Sequence, residues 1–82
     1  MNSQELLKEI NQIICRVFED PTIVVTEQTT AADVEEWDSL NNIQLVVAIE
    51  KELKVKFVAD QIRSWKNVGD MMKDILEVKN VG

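Results

Sequence analysis

Two long segments in which apolar residues recur every three or four positions constrain the fold more than any other feature of the sequence. They occupy residues 3–18 and 39–53. This spacing matches the 3.6-residue turn of an α-helix and not the two-residue alternation of a β-strand. The first series comprises Leu6, Leu7, Ile10, Ile13, Ile14, Val17 and Phe18, and the second comprises Leu40, Ile43, Val46, Val47 and Leu53, with Ala48 and Ile49 beside it. We predict two amphipathic helices that pack through these stripes.

The remaining segments predict a long loop and two further helices. Residues 19–37 contain Ile23, Val24 and Val25, but no second strand is available to pair with them, so we expect a loop pinned to the core. Residues 59–64 predict a short helix, after which Asn67 begins the last helix with Asp70 as a weak capping partner. We expect Ile62, Trp65, Val68, Met71, Met72, Ile75 and Val78 to point inward.

Together these elements predict an all-α fold. Three main helices, one short helix and a long loop after the first helix form a small antiparallel helical bundle. With 82 residues, the chain is expected to be a single domain spanning 1–82 with one modest core.

The composition argues against catalysis and metal binding. The chain has no histidine, one cysteine and two glycines, which removes histidine-dependent triads, thiolate clusters and phosphate-cradling glycine loops. The acids Glu35, Glu36 and Asp38 could ligate a cation, but oxygen cages need more ligands at defined spacing, and a solvated patch is favoured. We expect no catalytic residue and no metal site.

The charge balance favours protein partners. Nine basic and fifteen acidic residues give a net charge of −6. Such a surface repels nucleic acid and anionic lipid and attracts basic protein surfaces. The N-terminus lacks the features of a signal peptide, and no apolar run approaches the roughly 20 residues of a membrane helix. We expect a cytoplasmic protein without membrane insertion.

Ser39 is the most informative residue for function. It follows Asp38, a good N-cap, at the start of the second predicted helix. Unpaired N–H groups and the positive end of the helix dipole favour a phosphate ester at this position. Ser39 is therefore suited to carry a phosphodiester. From physics alone, a simple capping pair is the commoner explanation of Asp-Ser.

The residues that follow Ser39 add a family resemblance. Asp38-Ser39-Leu40 is followed at characteristic spacing by Ile43, Leu45, Val46, Ala48, Ile49, Glu50 and Phe57. This pattern, over nearly the whole chain, resembles the acyl carrier protein family. The resemblance implies that Ser39, flanked by Asp38 and Leu40, receives 4′-phosphopantetheine from CoA. It also implies a carrier and not an enzyme, a monomer whose partners are a phosphopantetheinyl transferase and acyl-loading and acyl-processing enzymes.

Departures from the family pattern indicate a specialised role. Asn41 and Gln44 stand where acids are frequent in the family, and Lys51 interrupts Glu50 and Glu52. With Trp37, the motif resembles the Trp-Asp-Ser-Leu variant seen in specialised bacterial carriers. A dedicated lipid, polysaccharide or secondary-metabolite pathway is favoured over bulk fatty-acid synthesis. A peptidyl or aminoacyl carrier and an unmodified helical interaction module remain alternatives.

Two further expectations concern partners and cargo. Basic residues of partner enzymes are expected to meet five acids, which are Glu35, Glu36, Asp38, Glu50 and Glu52. A small cleft for the cargo is expected near Ser39, lined by Leu40, Ile43, Val47, Ile62 and Met72. Trp37 is expected either beside the prosthetic arm or as an anchor of the loop, and Cys15 as a buried or half-buried small apolar residue.

Overall fold

The computed structural model describes residues 2–81 and contains only helices and connections within that range. The four α-helices are α1 (Ser3–Val17), α2 (Ser39–Leu53), α3 (Ala59–Ser64) and α4 (Val68–Val81). One turn of 3-10 helix, Ala31–Asp33, interrupts the long connection between α1 and α2. The prediction of an all-α bundle with three main helices and one short helix is confirmed.

Local capping explains where the helices start. The side chain of Asn2 accepts a hydrogen bond from the Glu5 N–H at 2.8 Å and begins α1. The side chain of Asn67 accepts one from the Asp70 N–H at 2.9 Å and begins α4. The Asp70 carboxylate accepts from the Lys66 N–H, whereas a capping box would use the N–H of Asn67, one residue later. The Asn67 prediction is therefore confirmed as a cap, with a different return bond.

The core lies where α1 meets α2 and α4. Its least exposed side chains, all below 2% exposure, are Leu6, Ile10 and Ile14 of α1, Leu45 and Ile49 of α2, and Val68, Met71, Met72 and Ile75 of α4. Close packing of these apolar side chains provides the main favourable free energy of folding. α3 contributes no fully buried residue and packs against α4.

The predicted core stripe of α2 is wrong in part. Leu40, Ile43 and Val47 are 64%, 61% and 56% exposed. The buried residues of α2 are Leu45, Val46, Ile49 and Leu53. Apolar residues cover so much of this helix that two different stripes satisfy the helical period. The packing of α2 against α1 decides between the stripes, and the helix's own sequence does not.

Two further apolar residues are exposed, and for Val78 this contradicts the expectation that it points inward. Val24 is 82% exposed, because successive residues of an extended segment point in opposite directions and its neighbours Ile23 and Val25 take the inward positions. Val78 is 38% exposed, beyond Ile75, the last fully buried residue of α4.

The long loop is pinned to α1 through one carboxamide. The Asn11 side chain donates to the Ile23 carbonyl at 3.0 Å and accepts from the Val25 N–H at 2.6 Å. The half-buried Cys15 thiol donates to the same Ile23 carbonyl at 3.2 Å. These bonds satisfy backbone groups that a strand partner would otherwise satisfy.

The start of α4 holds the far end of this loop. The Val68 N–H donates to the Thr29 carbonyl at 2.9 Å, and the Gly69 N–H donates to the Glu27 carbonyl at 2.8 Å. A Cβ at position 69 would lie 3.0 Å from the Glu27 oxygen, so glycine permits this close approach. The loop therefore contacts both α1 and α4, and it ends at the start of α2.

Candidate functional site

Ser39 is the first residue of α2 and is exposed. Asp38 precedes it with extended backbone, and its carboxylate accepts the Asn41 N–H at 2.8 Å. The Asp38 carbonyl accepts the Asn42 N–H at 2.9 Å. This capping geometry, predicted from the sequence, places the Ser39 hydroxyl in solvent at the positive end of a 15-residue helix.

Trp37 links the segment before Ser39 to the core. Its indole ring packs edge-on against Phe18, with centroids 5.7 Å apart, and its Nε1–H donates to the Asn42 Oδ1 at 2.9 Å. The Asn41 amide donates to the Glu36 carbonyl at 2.7 Å. Trp37 therefore anchors the loop, as one of the two sequence-based expectations for it stated, and it also lines a cleft beside Ser39.

The cleft beside Ser39 has a volume of about 290 Å³. Residues from the long loop, α2, α3 and α4 line it, namely Ala31, Trp37, Asp38, Ser39, Asn42, Ile62, Trp65, Lys66, Asn67 and Met71. Trp65 is half-buried, packs edge-on against Phe57 at 4.9 Å and donates through Nε1 to the Asp74 carboxylate at 2.7 Å. Both tryptophans of the chain are thus held in place at this cleft.

The position of the cleft agrees with the expectation, whereas its lining does not. Ile62 is the one expected residue that lines it. Met72 lies in the core, and the exposed Leu40, Ile43 and Val47 of α2 lie outside the cleft. Asn42 and Lys66 line the cleft but were not expected from the sequence. Asn42 could have been predicted, because it lies three residues after Ser39 and therefore on the same face of the helix. Lys66 lies in a connection and carries no pattern that predicts its place.

Among the acids expected to meet partners, Glu35, Glu36 and Asp38 lie just before α2. Glu35 and Asp38 are exposed. The Glu36 carboxyl shares a hydrogen bond with the Asp20 carboxyl, which raises the pKa of Glu36 above its ordinary value. The same bond, aided by the Thr22 hydroxyl and N–H, lowers the pKa of Asp20. Glu36 therefore lies beside Asp20, while Glu35 and Asp38 face solvent.

Glu50 and Glu52 lie at the other end of α2. The Glu50 carboxylate accepts the Phe57 N–H at 2.9 Å, and Glu52 forms an ion pair with Arg16 of α1. At about 1.5 Å of rise per residue, Glu52 is roughly 20 Å along the helix axis from Ser39. The structure does not bring the five acids together in one patch. Within residues 2–81 it also contains no group of three or more acids or cysteines placed to hold a metal ion.

Comparison with known proteins shows which family the chain belongs to. No family model matches the chain. The acyl carrier protein of Thermosynechococcus vestitus is 32% identical over 73 residues, covering 88% of this chain and 89% of the relative. That of Acidothermus cellulolyticus is 31% identical over 70 residues, covering 85% and 83%. The chain belongs to the acyl carrier protein family.

A solved structure agrees with this assignment. The solution NMR structure of the holo acyl carrier protein from Geobacter metallireducens superposes with a TM-score of 0.85 at 35% identity, covering 92% of this chain and 86% of that one. Membership in the family confirms the predicted acyl-carrier role, the prediction of a carrier and not an enzyme, and the predicted covalent 4′-phosphopantetheine group. Separately, no helix within residues 2–81 is both long and apolar enough to span a membrane.

The residues around Ser39 fit this prosthetic group. A phosphodiester needs an exposed hydroxyl and benefits from a positive helix end, and Ser39 supplies both. The flexible arm beyond the phosphate needs a path over the surface, and the cleft opens directly beside the serine. Leu40 flanks Ser39 on the solvent side and contributes no contact to the cleft.

Proposed function

We propose that Ser39 is the residue to which the 4′-phosphopantetheine arm is attached. The observation that carries the proposal is the exposed Ser39 hydroxyl at the capped, positive end of α2, beside a cleft. In this proposal residues 1–82 form a single carrier domain that works as a cytoplasmic monomer. When bound, the group supplies a terminal thiol that forms a thioester with the acyl cargo.

The chain presents Ser39 and leaves its chemistry to a partner. Ser39 has no hydrogen-bond partner for its hydroxyl among the described residues, and the chain has no histidine to act as a base. Asp38 holds the first turn of α2 and keeps the serine at its end. A phosphopantetheinyl transferase therefore has to supply the general base that removes the Ser39 proton.

The surface proposed for transferase and acyl-processing enzymes is the apolar stripe of α2, defined by Leu40, Ile43 and Val47. These side chains share one helix face directly after Ser39, and each is more than half exposed. Exposed apolar side chains on one face are typical of an interaction site. Glu35 and Asp38 place negative charge at its end, which suits a partner surface with an apolar centre and basic rim.

The pathway proposed for this carrier is a specialised one. Asn41 uses its carboxamide to hold the Glu36 carbonyl, a bond that an aspartate could not donate. Gln44 is exposed, uncharged and close to the apolar stripe of α2. A less acidic docking face selects partners different from those of a carrier with a strongly acidic second helix.

Intact mass spectrometry tests the attachment site. After incubation with CoA and a promiscuous phosphopantetheinyl transferase, the wild type should gain the mass of one phosphopantetheine. Ser39→Ala should gain none. The controls are Ser3→Ala and Ser64→Ala, which change the other two serines and should load like the wild type. Loading of Ser39→Ala, or failure of a control alone, would refute the assignment.

A further inference from the structure

The exposed apolar stripe of α2 continues into lysines at the C-terminal end of the helix. Lys51 follows Val47 by four residues and Lys54, the C-cap, follows by a further three, so the helical period places both on the face of that stripe. Val55 is buried, and its neighbours Lys54 and Lys56 are both exposed. We refer to the three lysines as the lysine end of α2. It is a positive surface on a chain whose net charge is −6.

The positive charge of the lysine end is not compensated within the fold. None of its three lysines forms an ion pair among the described residues. The acids nearest to them in the sequence have other partners, namely the Phe57 N–H for Glu50, Arg16 for Glu52 and Arg63 for Asp60. The acids that were expected to meet partner enzymes at this end of α2 are thus bound elsewhere, and the charge that faces solvent here is that of the lysines.

A contribution to helix stability does not account for the whole lysine end. Cations near a helix C-terminus interact favourably with the helix dipole, which gives Lys51 and Lys54 a part in holding α2. Lys56 lies beyond the last residue of the helix, and its side chain is exposed. The effect of the dipole falls off within the last turn, so it gives no reason for a cation at this position.

The other end of the apolar stripe carries the opposite charge. Glu35 and Asp38 are exposed just before Ser39. At about 1.5 Å of rise per residue, Asp38 and Lys54 are roughly 24 Å apart along the helix axis. This separation exceeds the Debye length of about 8 Å at physiological ionic strength, so each end acts on a partner separately. The exposed face of α2 is therefore negative, apolar and positive in that order.

We propose that the lysine end of α2 contacts an acidic surface of the partner enzyme, so that the enzyme lies along α2 in one direction only. The inference rests on the proposed docking of partners at the apolar stripe of α2. Basic residues of the enzyme then meet Glu35 and Asp38 near Ser39, and its carboxylates meet the lysines at the far end. An enzyme that is basic at both ends is disfavoured, because like charges meet at the lysine end. An anionic membrane is a poorer match, since it repels a chain of this net charge.

The test uses the full chain, isotope-labelled and without its arm, and a synthetic amphipathic helical peptide as the probe. The peptide has glutamates at its N-terminal end, leucines in the middle and lysines at its C-terminal end, with a nitroxide at the N-terminus. The nitroxide should broaden the amide signals of residues 51–56 and leave those of residues 38–41 sharp. A second peptide with the charged ends exchanged and the nitroxide still at the N-terminus should broaden residues 38–41 instead.

Matched variants separate the lysine end from general charge. The glutamine variant combines Lys51→Gln, Lys54→Gln and Lys56→Gln, and it should bind the first peptide about three- to tenfold more weakly, because exposed ion pairs are individually weak. Arginine at the same three positions keeps the charge and should bind like the wild type. The remote control combines Lys8→Gln, Lys73→Gln and Lys79→Gln, which remove the same charge from exposed positions of α1 and α4. It should change the affinity by less than about twofold, and circular dichroism verifies that every variant folds.

Each result bears on the proposal differently. Peptides that bind the wild type equally in both directions, or binding unaffected in the glutamine variant, would overturn the lysine end as a contact and leave docking at the apolar stripe intact. Absence of broadening anywhere along α2 would refute that docking surface and this inference with it. Binding to phosphatidylglycerol vesicles that is lost in the glutamine variant would assign the lysine end to a membrane and also overturn the proposal. None of these results depends on attachment at Ser39.

Discussion

The two ends of α2 are built in opposite ways. At the C-terminal end, Leu53 and Val55 are 6% and 3% exposed, and the Glu50 carboxylate holds the connection to α3. At the N-terminal end, Leu40 and Ile43 are more than 60% exposed. The helix is thus anchored where it meets α1 and the loop to α3, and open where it presents the serine. Stability and partner contact can therefore be changed separately in this molecule.

This difference explains why the exposed apolar side chains coexist with a packed core. A domain of this size has a net stability of only about 5–15 kcal/mol. Side chains that remain in water contribute little of it, since the favourable term scales with apolar area removed from water. The apolar stripe of α2 is therefore available to successive partners without loss of folding free energy when a partner leaves.

The largest expected effect contrasts two isoleucines of the same helix. Ile49→Ala removes a side chain with no exposed surface and should lower the free energy of unfolding by about 2–5 kcal/mol. Ile43→Ala should change it by less than about 0.5 kcal/mol, because its side chain is already in water. Urea denaturation followed by circular dichroism measures both. Equal losses in the two variants would show that the exposed stripe is part of the folding core.

Ile43 also tests the functional difference between the two ends of α2. Ile43→Ala should slow transfer of the arm from CoA to Ser39 by the transferase, since truncating an interface side chain weakens the complex. Its neighbour Gln44→Ala, also exposed on α2, serves as the polar control and should have a smaller effect. Wild-type rates in Ile43→Ala would exclude this side chain from the transferase interface.

Sequence reasoning predicted the helices and the Asp38 cap better than it predicted the cleft. Helix period and capping are local, so the bounds of α2 and the role of Asp38 followed directly from the residues. The face of α2 that is buried did not follow, since Leu40 and Leu45 belong to two stripes of equal period. Only the contacts of α2 with other helices choose between them.

The cleft illustrates the same limit. Trp65, Lys66 and Asn67 come to Ser39 from more than 25 positions away through the packing of α3 and α4, which no local pattern reports. The distribution of the acids was missed for a similar reason. Glu52 finds Arg16 on another helix, and the Glu50 side chain turns back to a backbone N–H. Charge along the sequence did not reveal these partners.

Substitutions of the N-cap Asp38 test how much this cap contributes to the free energy of unfolding. Asp38→Ala removes the acceptor of the Asn41 N–H and should lower the free energy of unfolding by about 1 kcal/mol. Asp38→Asn keeps an acceptor at the same place and should retain most of the stability. Thermal unfolding of the two variants and the wild type decides this. A loss in Asp38→Asn as large as in Asp38→Ala would assign the effect to charge and not to the cap.

At the C-terminal end of α2, one substitution is expected to raise the free energy of unfolding. Lys54 ends α2 in a left-handed conformation, with φ 56° and ψ 49°, which glycine adopts without steric cost. Lys54→Gly should therefore raise the free energy of unfolding by roughly 0.5 kcal/mol. The control Lys51→Gly, at an exposed position inside the helix, should lower it by about 1 kcal/mol. Destabilisation by Lys54→Gly would show that the lysine side chain contributes more than its backbone costs.

The smallest expected effect concerns the Asp20–Glu36 carboxyl pair, which joins the turn after α1 to the turn before α2. A raised pKa means that folding stabilises protonated Glu36, a contribution present at low pH and lost as pH rises through that pKa. A lowered pKa means that folding stabilises ionised Asp20, a contribution lost as pH falls through that pKa. The shared hydrogen bond is therefore strongest between the two pKa values, with one proton on the pair.

Glu36→Gln should preserve this bond at neutral pH, because a carboxamide donates to the Asp20 carboxylate and does not lose its proton. The difference in melting temperature between Glu36→Gln and the wild type should therefore grow in favour of the variant as pH rises from the carboxyl range, about 4, to about 7. Glu35→Gln removes a neighbouring exposed charge without that donor and should give a difference nearly independent of pH. Parallel pH profiles for the two variants would show that the carboxyl pair does not hold the approach to Ser39.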